Sequence, residues 1–350
     1  MTNPKPRPGL RDVSPYESPQ LEAAARLNSN ECPYPLPEGF RNALAEAVRS
    51  LPLNRYPDRE AKRLRERIAE HSGHAVEGTW VANGSNEVIQ QLLLAYGGPG
   101  RKTLVFEPTY ALHERIAWIT HGELVRLRLD GPFTLGSGDV AAAADEKPDV
   151  VFVCSPNNPT GNAQPVWAVE ELAESTDALI IVDEAYIEFG GEPANGLIAT
   201  HPNVAVARTF SKAFALAGAR IGYCLAAPEV IDDLRRVRLP YHVSAITQAA
   251  GLVALDHVKE AMALLDAVRR ERDRIVDALA SIHGVEAFHS DANFVLFRPP
   301  GDARRVWQGL LDHGVLVRDL TEVIPNALRV TAGTTDEVDR FLKALEEAMA

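Results

Sequence analysis

The segment VAVARTFSKAFALAGARIGY, Val204–Tyr223, begins as an apolar run of strand length and ends in residues of a different character. Thr209, Ser211 and Lys212 follow the run directly, and Arg220 lies beyond a stretch of small and apolar residues. A solvated helix would scatter its charges, and a plain core segment would carry none. The pattern is that of a buried strand delivering polar groups at its carboxyl end. Three further runs share it: TLVFEP (Thr103–Pro108), DVVFVCSP (Asp149–Pro156) and ALIIVDEAY (Ala178–Tyr186). Continuous apolar strands separated by helical patterns, such as EGFRNALAEAVRSL and REAKRLRERIAEHSG, imply a mainly parallel sheet covered on both faces. Ligands of such sheets bind beyond the carboxyl ends of the strands.

The chain has 350 residues, 46% of them apolar and 24% charged, which is ordinary globular composition and long enough for two lobes. Its net charge of −12 disfavours nucleic acid or an anionic membrane as the main partner. No apolar run approaches the roughly 20 residues that span a bilayer, and the Pro-rich beginning has no signal-peptide core. Three scattered cysteines (Cys32, Cys154, Cys224) argue against a disulfide framework and for a reducing cytoplasm. Residues 1–37 read as an extended arm, 38–240 as the large α/β domain and 241–350 as a smaller α+β domain. In the last, a long helical stretch from about Ser244 to His283 breaks near His257. The segment DGPFTLGSGDVAAAADEKPD reads as a low-complexity surface connection. Its formal G-x-G-x-x-A match lacks the flanking strand and acidic residue of a dinucleotide fingerprint.

The other strand ends carry the chemistry. Asn83-Gly84-Ser85-Asn86 stands between a strand and a helix, where glycine admits close approach and free N–H groups face an anion. Taken alone it is also an ordinary βα turn. CSPNNPTG offers Asn157 and Asn158, and VDEAY offers Asp183, Glu184 and Tyr186. No metal-ligand set, Walker loop or hydrolase elbow emerges; His71 and His74 sit on a charged helix end. A lysine, an aspartate, hydrogen-bond donors and an anion cradle together are what pyridoxal phosphate requires. The lysine binds its aldehyde, the carboxylate keeps the ring nitrogen protonated, and hydroxyls and a guanidinium hold its phosphate. Lys212 would be the Schiff-base residue, with Ser211 and Arg220 beside the phosphate.

Across nearly its whole length the sequence resembles the histidinol-phosphate aminotransferase family of fold-type I pyridoxal-phosphate enzymes. YESPQ, RLNSNECPYPLP, LNRYPD, NGSNE, SPNNPTG, VDEAY, TFSKAFALAGARIGY, VRLPYHVS, ANFVLF, VLVRD and LRVTAGT carry the resemblance in order. It implies a mainly parallel seven-stranded sheet in the large domain, and it implies a homodimer. Lys212 would also move the proton, Asp183 would pair with the pyridinium, and Asn158 and Tyr186 would bond the phenolate oxygen. Tyr110 would stack on the ring, and Gly84, Ser85, Asn86, Ser211 and Arg220 would hold the phosphate, joined by Tyr56 from the other subunit. Arg329 would bind the carboxylates of glutamate and 2-oxoglutarate. Arg318, Tyr16, Asn30 and Tyr241 would complete a pocket for histidinol phosphate. Glu184 and Thr209 are left as structural residues. An aromatic amino acid aminotransferase would keep the cofactor residues and Arg329, and differ around the pocket. A non-catalytic cofactor-binding regulator would need a DNA-binding module for which the chain has no spare residues.

Overall fold

The computed structural model describes residues 4–349 except 6, 8 and 16–19. Its strands are β1 (Ala25–Leu27), β2 (Thr79–Ala82), β3 (Lys102–Glu107), β4 (Glu123–Arg128), β5 (Val150–Cys154) and β6 (Leu179–Asp183). They continue with β7 (Val204–Thr209), β8 (Gly222–Leu225), β9 (Glu286–Ala287), β10 (Phe294–Arg298), β11 (Val315–Asp319) and β12 (Leu328–Thr331). Seven form one sheet in the order β2-β8-β7-β6-β5-β3-β4, and five form a second in the order β1-β11-β12-β10-β9.

The large sheet is the expected one, mainly parallel and of seven strands. Only β8 runs antiparallel to its neighbours β2 and β7. Every residue of β5, β6 and β7 is buried, which is why those segments read as unbroken apolar runs. β4 lies at the edge, leaves Glu123, Arg126 and Arg128 exposed and its other residues half-buried, and so lacks that signature. Apolar side chains on the two faces of the sheet form two clusters. The larger of these continues into the five-stranded sheet through Leu27, Phe294 and Phe297, and onto Phe341 of the helix Thr335–Met349.

Two expectations change. Residues 1–37 are not an arm along their whole length: β1 pairs in parallel with β11, placing Ala25 opposite Val315 and Leu27 opposite Val317. Ala25 and Leu27 enter the core while Arg26 points out, a period-2 signal too short to read among the prolines. The segment taken as a low-complexity connection contains the helix Ser137–Asp145. Its alanines favour helix, Asp139 accepts from the Gly136 amide, and Val140 and Ala143 bury its inner face. The break at His257 does occur, between the helices Ala245–Asp256 and Val258–Ser281. Among the described residues no helix is long and apolar enough to cross a membrane.

Candidate active site

Parallel pairing sets Cys154 of β5 beside Asp183 of β6, and Asp183 beside Ala207 of β7. The polar residues that follow these strands therefore open at one edge of the sheet. They meet residues of the smaller sheet across a cavity of about 480 Å³. Ser85, Asn86, Tyr110, Asn158, Asp183, Tyr186, Ser211, Lys212, Arg220, Asn30, Arg318 and Arg329 all line it.

One end is an anion cradle. Gly84 has φ 85°, and Ser85 opens the helix Ser85–Tyr96, whose first N–H groups have no intrahelical acceptor. A Cβ on Gly84 would lie 2.4 Å from Arg220 Nη2, and one on Gly222 would lie 2.3 Å from the Ser85 nitrogen. Arg220 also donates to Ser211 Oγ at 3.2 Å, and that hydroxyl accepts from Thr209 at 2.9 Å. The two glycines thus let a guanidinium, a hydroxyl and a helix N-terminus converge on one point.

Lys212 projects into the middle of the cavity. Its Nζ donates to the main-chain oxygen of Asn30 at 2.8 Å, and no carboxylate among the described residues lies within ion-pairing distance. Burial, followed by the positive charge of Arg329, lowers its pKa to about 8. Asn30 also joins the two sheets: its Nδ2 donates to the Tyr186 hydroxyl at 3.0 Å, and its Oδ1 accepts from Thr331 at 2.9 Å. Burial pushes the Tyr186 phenol upward, so it stays a neutral donor.

Asp183 is buried at the floor. Its Oδ1 accepts from the Ala185 amide at 3.2 Å, and its Oδ2 lies 3.0 Å from His113 Nε2. His113 is wholly buried, and its ring is stacked on Phe152 at 4.4 Å. No motif marked this histidine. The available signal was its place three residues after Tyr110, which sets both on one face of the helix Ala111–Ile119 and its cap. Cys154 also lies close to Asp183 and His113, but burial and the neighbouring carboxylate raise its thiol pKa, which leaves it a neutral thiol.

Arg318 and Arg329 are directly opposite on the antiparallel strands β11 and β12. Arg329 donates to the main-chain oxygen of Asn28 at 2.9 Å and to Asn158 Oδ1, tying the smaller sheet to the β5 end. Glu184 points away from the cavity, receiving Arg208 Nε at 2.7 Å and the Ala194 amide at 2.6 Å, as befits a structural residue. Two predicted site residues do not reach this cavity. Tyr56 and Tyr241 stack on each other at 4.5 Å at the surface, so Tyr241 does not line the pocket of its own chain as expected. The backbone of Tyr241 is left-handed, with φ 57°. Tyr16 lies outside the described residues.

An amine kept partly unprotonated is of use to an aldehyde, and a dianion cradle to a phosphate. One cofactor presents both, with a ring nitrogen to meet Asp183, and the residues present fit pyridoxal phosphate. The fold and site are those of a fold-type I pyridoxal-phosphate enzyme. A family model described as aminotransferase class I and II matches residues 24–345. A histidinol-phosphate aminotransferase of Thermobifida fusca is 48% identical over 97% of this chain and 94% of its own length. That of Mycobacterium marinum is 44% identical over 97% and 94%. The crystal structure of the Sinorhizobium meliloti histidinol-phosphate aminotransferase with pyridoxal 5'-phosphate superposes with a TM-score of 0.86 at 26% identity, covering 94% of this chain and 91% of that one. The chain belongs to the class I and II aminotransferase family and, within it, to the histidinol-phosphate aminotransferases.

Proposed function

We propose that this chain transfers an amino group reversibly between L-histidinol phosphate and 2-oxoglutarate, giving imidazole acetol phosphate and L-glutamate in histidine biosynthesis. The observation that carries the reading is the pairing, in one cavity, of the Lys212 amine with two guanidiniums set opposite each other. Arg329 and Arg318 suit a carboxylate in one half of the cycle and a phosphate in the other.

Pyridoxal 5'-phosphate, when bound, supplies an aldehyde to carry the amino group and a ring that draws electrons from the substrate's C–H bond. The chain's own residues do the rest. Gly84, Ser85, Asn86, Ser211 and Arg220 hold the phosphate. Asp183, fixed by His113, would pair with the ring nitrogen. Asn158 and the Tyr186 hydroxyl would donate hydrogen bonds to the phenolate oxygen, and Tyr110 would cover the ring. Lys212, whose amine burial makes easier to deprotonate, would move the proton from the substrate carbon. Asn30 orients both Tyr186 and Lys212 from the smaller sheet.

The active unit of this reading is a homodimer. Leu53, Tyr56, Leu239, Tyr241 and Ile246 are large apolar residues exposed on a single chain, and four of them border one surface cavity. Such a patch supports a subunit interface, with Tyr56 reaching the partner's phosphate site. The division into residues 1–37, 38–240 and 241–350 belongs to the same reading, with Tyr16 of the first segment completing the substrate pocket. Three cysteines outside any disulfide and a reaction between small metabolites support a cytoplasmic setting.

Mixing the holoenzyme with histidinol phosphate, or with phenylalanine, and following loss of the cofactor's absorbance tests the substrate. Efficient turnover of phenylalanine with none of histidinol phosphate would overturn it. Borohydride reduction followed by peptide mass analysis should place the cofactor on Lys212.

A further inference from the structure

Tyr241 has φ 57°, a left-handed backbone that a bulky residue keeps only when its surroundings impose it. On one side its ring lies against Tyr56 at 4.5 Å with 17° between planes. On the other, the next residue is clamped. His242 Nε2 is 2.9 Å from the Val81 oxygen, and its ring stacks on the buried Trp80 at 5.5 Å. The His242 main-chain oxygen accepts from Asn83 Nδ2 at 2.6 Å. Asn83 immediately precedes Gly84, and Glu87 in the first turn of the helix behind it accepts from Asn83 Nδ2 at 2.8 Å. A continuous run of contacts therefore joins the anion cradle, through Asn83, His242 and Tyr241, to Tyr56.

We propose that Tyr241 is the positioning residue for Tyr56, held by the Asn83–His242 clamp, so that the phosphate turn of one subunit aims the tyrosine it lends to the other. The proposal rests on the reading that Tyr56 crosses the dimer interface. Tyr56 by itself is 80% exposed on a surface loop, with no other ring stacked on it among the described residues. A side chain that must meet a phosphate in another subunit loses less freedom on contact if a platform already fixes its ring plane. Tyr241 supplies that platform, and its strained backbone is held by groups on the cradle's own turn. Each site would then report its state to its neighbour through one aromatic stack.

Two measurements on the dimer decide this. Amide exchange over residues 53–58, without cofactor, tests the platform alone. It should quicken about fivefold in Tyr241→Leu and in Asn83→Ala, the scale of one lost aromatic contact, while Tyr241→Phe keeps the wild-type rate. Unchanged exchange in Tyr241→Leu overturns the proposal. Pyridoxal phosphate affinity then tests action through Tyr56. Tyr241→Leu should weaken it about fivefold in the wild type and hardly at all in a Tyr56→Phe background. Additive losses overturn the proposal. If Tyr56→Phe leaves affinity unchanged, the cross-subunit reading of Tyr56 fails, and the exchange data still decide the platform.

Discussion

Lys212 should make the cofactor-free protein less stable than a neutral residue would. Its pKa falls from 10.5 to about 8, chiefly because burial disfavours the charged amine. That fall corresponds to about 3 kcal/mol of destabilisation when the amine is protonated. The side chain is partly open to the cavity, so water there trims the figure to about 2 kcal/mol. Below pH 8 both folded and unfolded chains hold the proton, and the folded state bears the whole penalty. Between pH 8 and 10.5 the folded amine is already neutral while the unfolded one is still charged, so the penalty shrinks as pH rises. Above 10.5 it is gone.

Lys212→Met keeps length and volume and removes the charge. Two hydrogen bonds are lost, a long one to the Ser29 oxygen at 3.4 Å and one to the Asn30 oxygen, which Asn293 Nδ2 still meets at 3.2 Å. Urea unfolding of the two cofactor-free proteins should show the variant more stable by about 2 kcal/mol at pH 7, with the difference reduced to less than half of that at pH 10. Other titrating groups are common to both proteins and cancel. A variant no more stable at pH 7, or one whose advantage is the same at pH 10, would refute the reasoning that the site strains the amine for reactivity.

Gly84→Ala should weaken pyridoxal phosphate binding at least about tenfold, since its Cβ meets Arg220 at 2.4 Å and its φ of 85° suits only glycine; equilibrium titration of the apoprotein checks it. Glu184→Gln should cost about 3 kcal/mol in denaturant unfolding by leaving Arg208 buried beside a neutral partner, yet spare turnover per folded molecule. Arg318→Ala should raise KM for histidinol phosphate about tenfold or more and KM for glutamate less, which paired initial-rate measurements resolve. His113→Gln should lower kcat about tenfold while changing cofactor affinity little, because it acts on the orientation of Asp183; a titration alongside the rate assay separates the two.

Much of this site was legible because its residues follow buried parallel strands. Asp183, Asn158 and Lys212 stand out where an apolar run stops, and the sheet register then brings those stops together. His113 was not legible, since a histidine on a helix is usually unremarkable and only the fold places it under Asp183. β1 was hidden for another reason: three residues give too short a period, and its partner β11 lies nearly three hundred residues away. The helix Ser137–Asp145 was obscured by Gly138 within it and Gly136 at its cap, although Asp139 and the alanines behind it hold the signal.

Tyr241 does not join its expected cavity, and it stacks instead on Tyr56, the residue expected to serve the other subunit. Read one chain at a time, each is an exposed aromatic, and the stack between them serves nothing within that chain. Two surface rings share an orientation, the backbone of one of them is strained, and a clamp leads from it back to the turn before Gly84. Residues that face their own cavity are tested by substrate and cofactor alone, whereas these two call for measurements in which the neighbouring subunit is the variable.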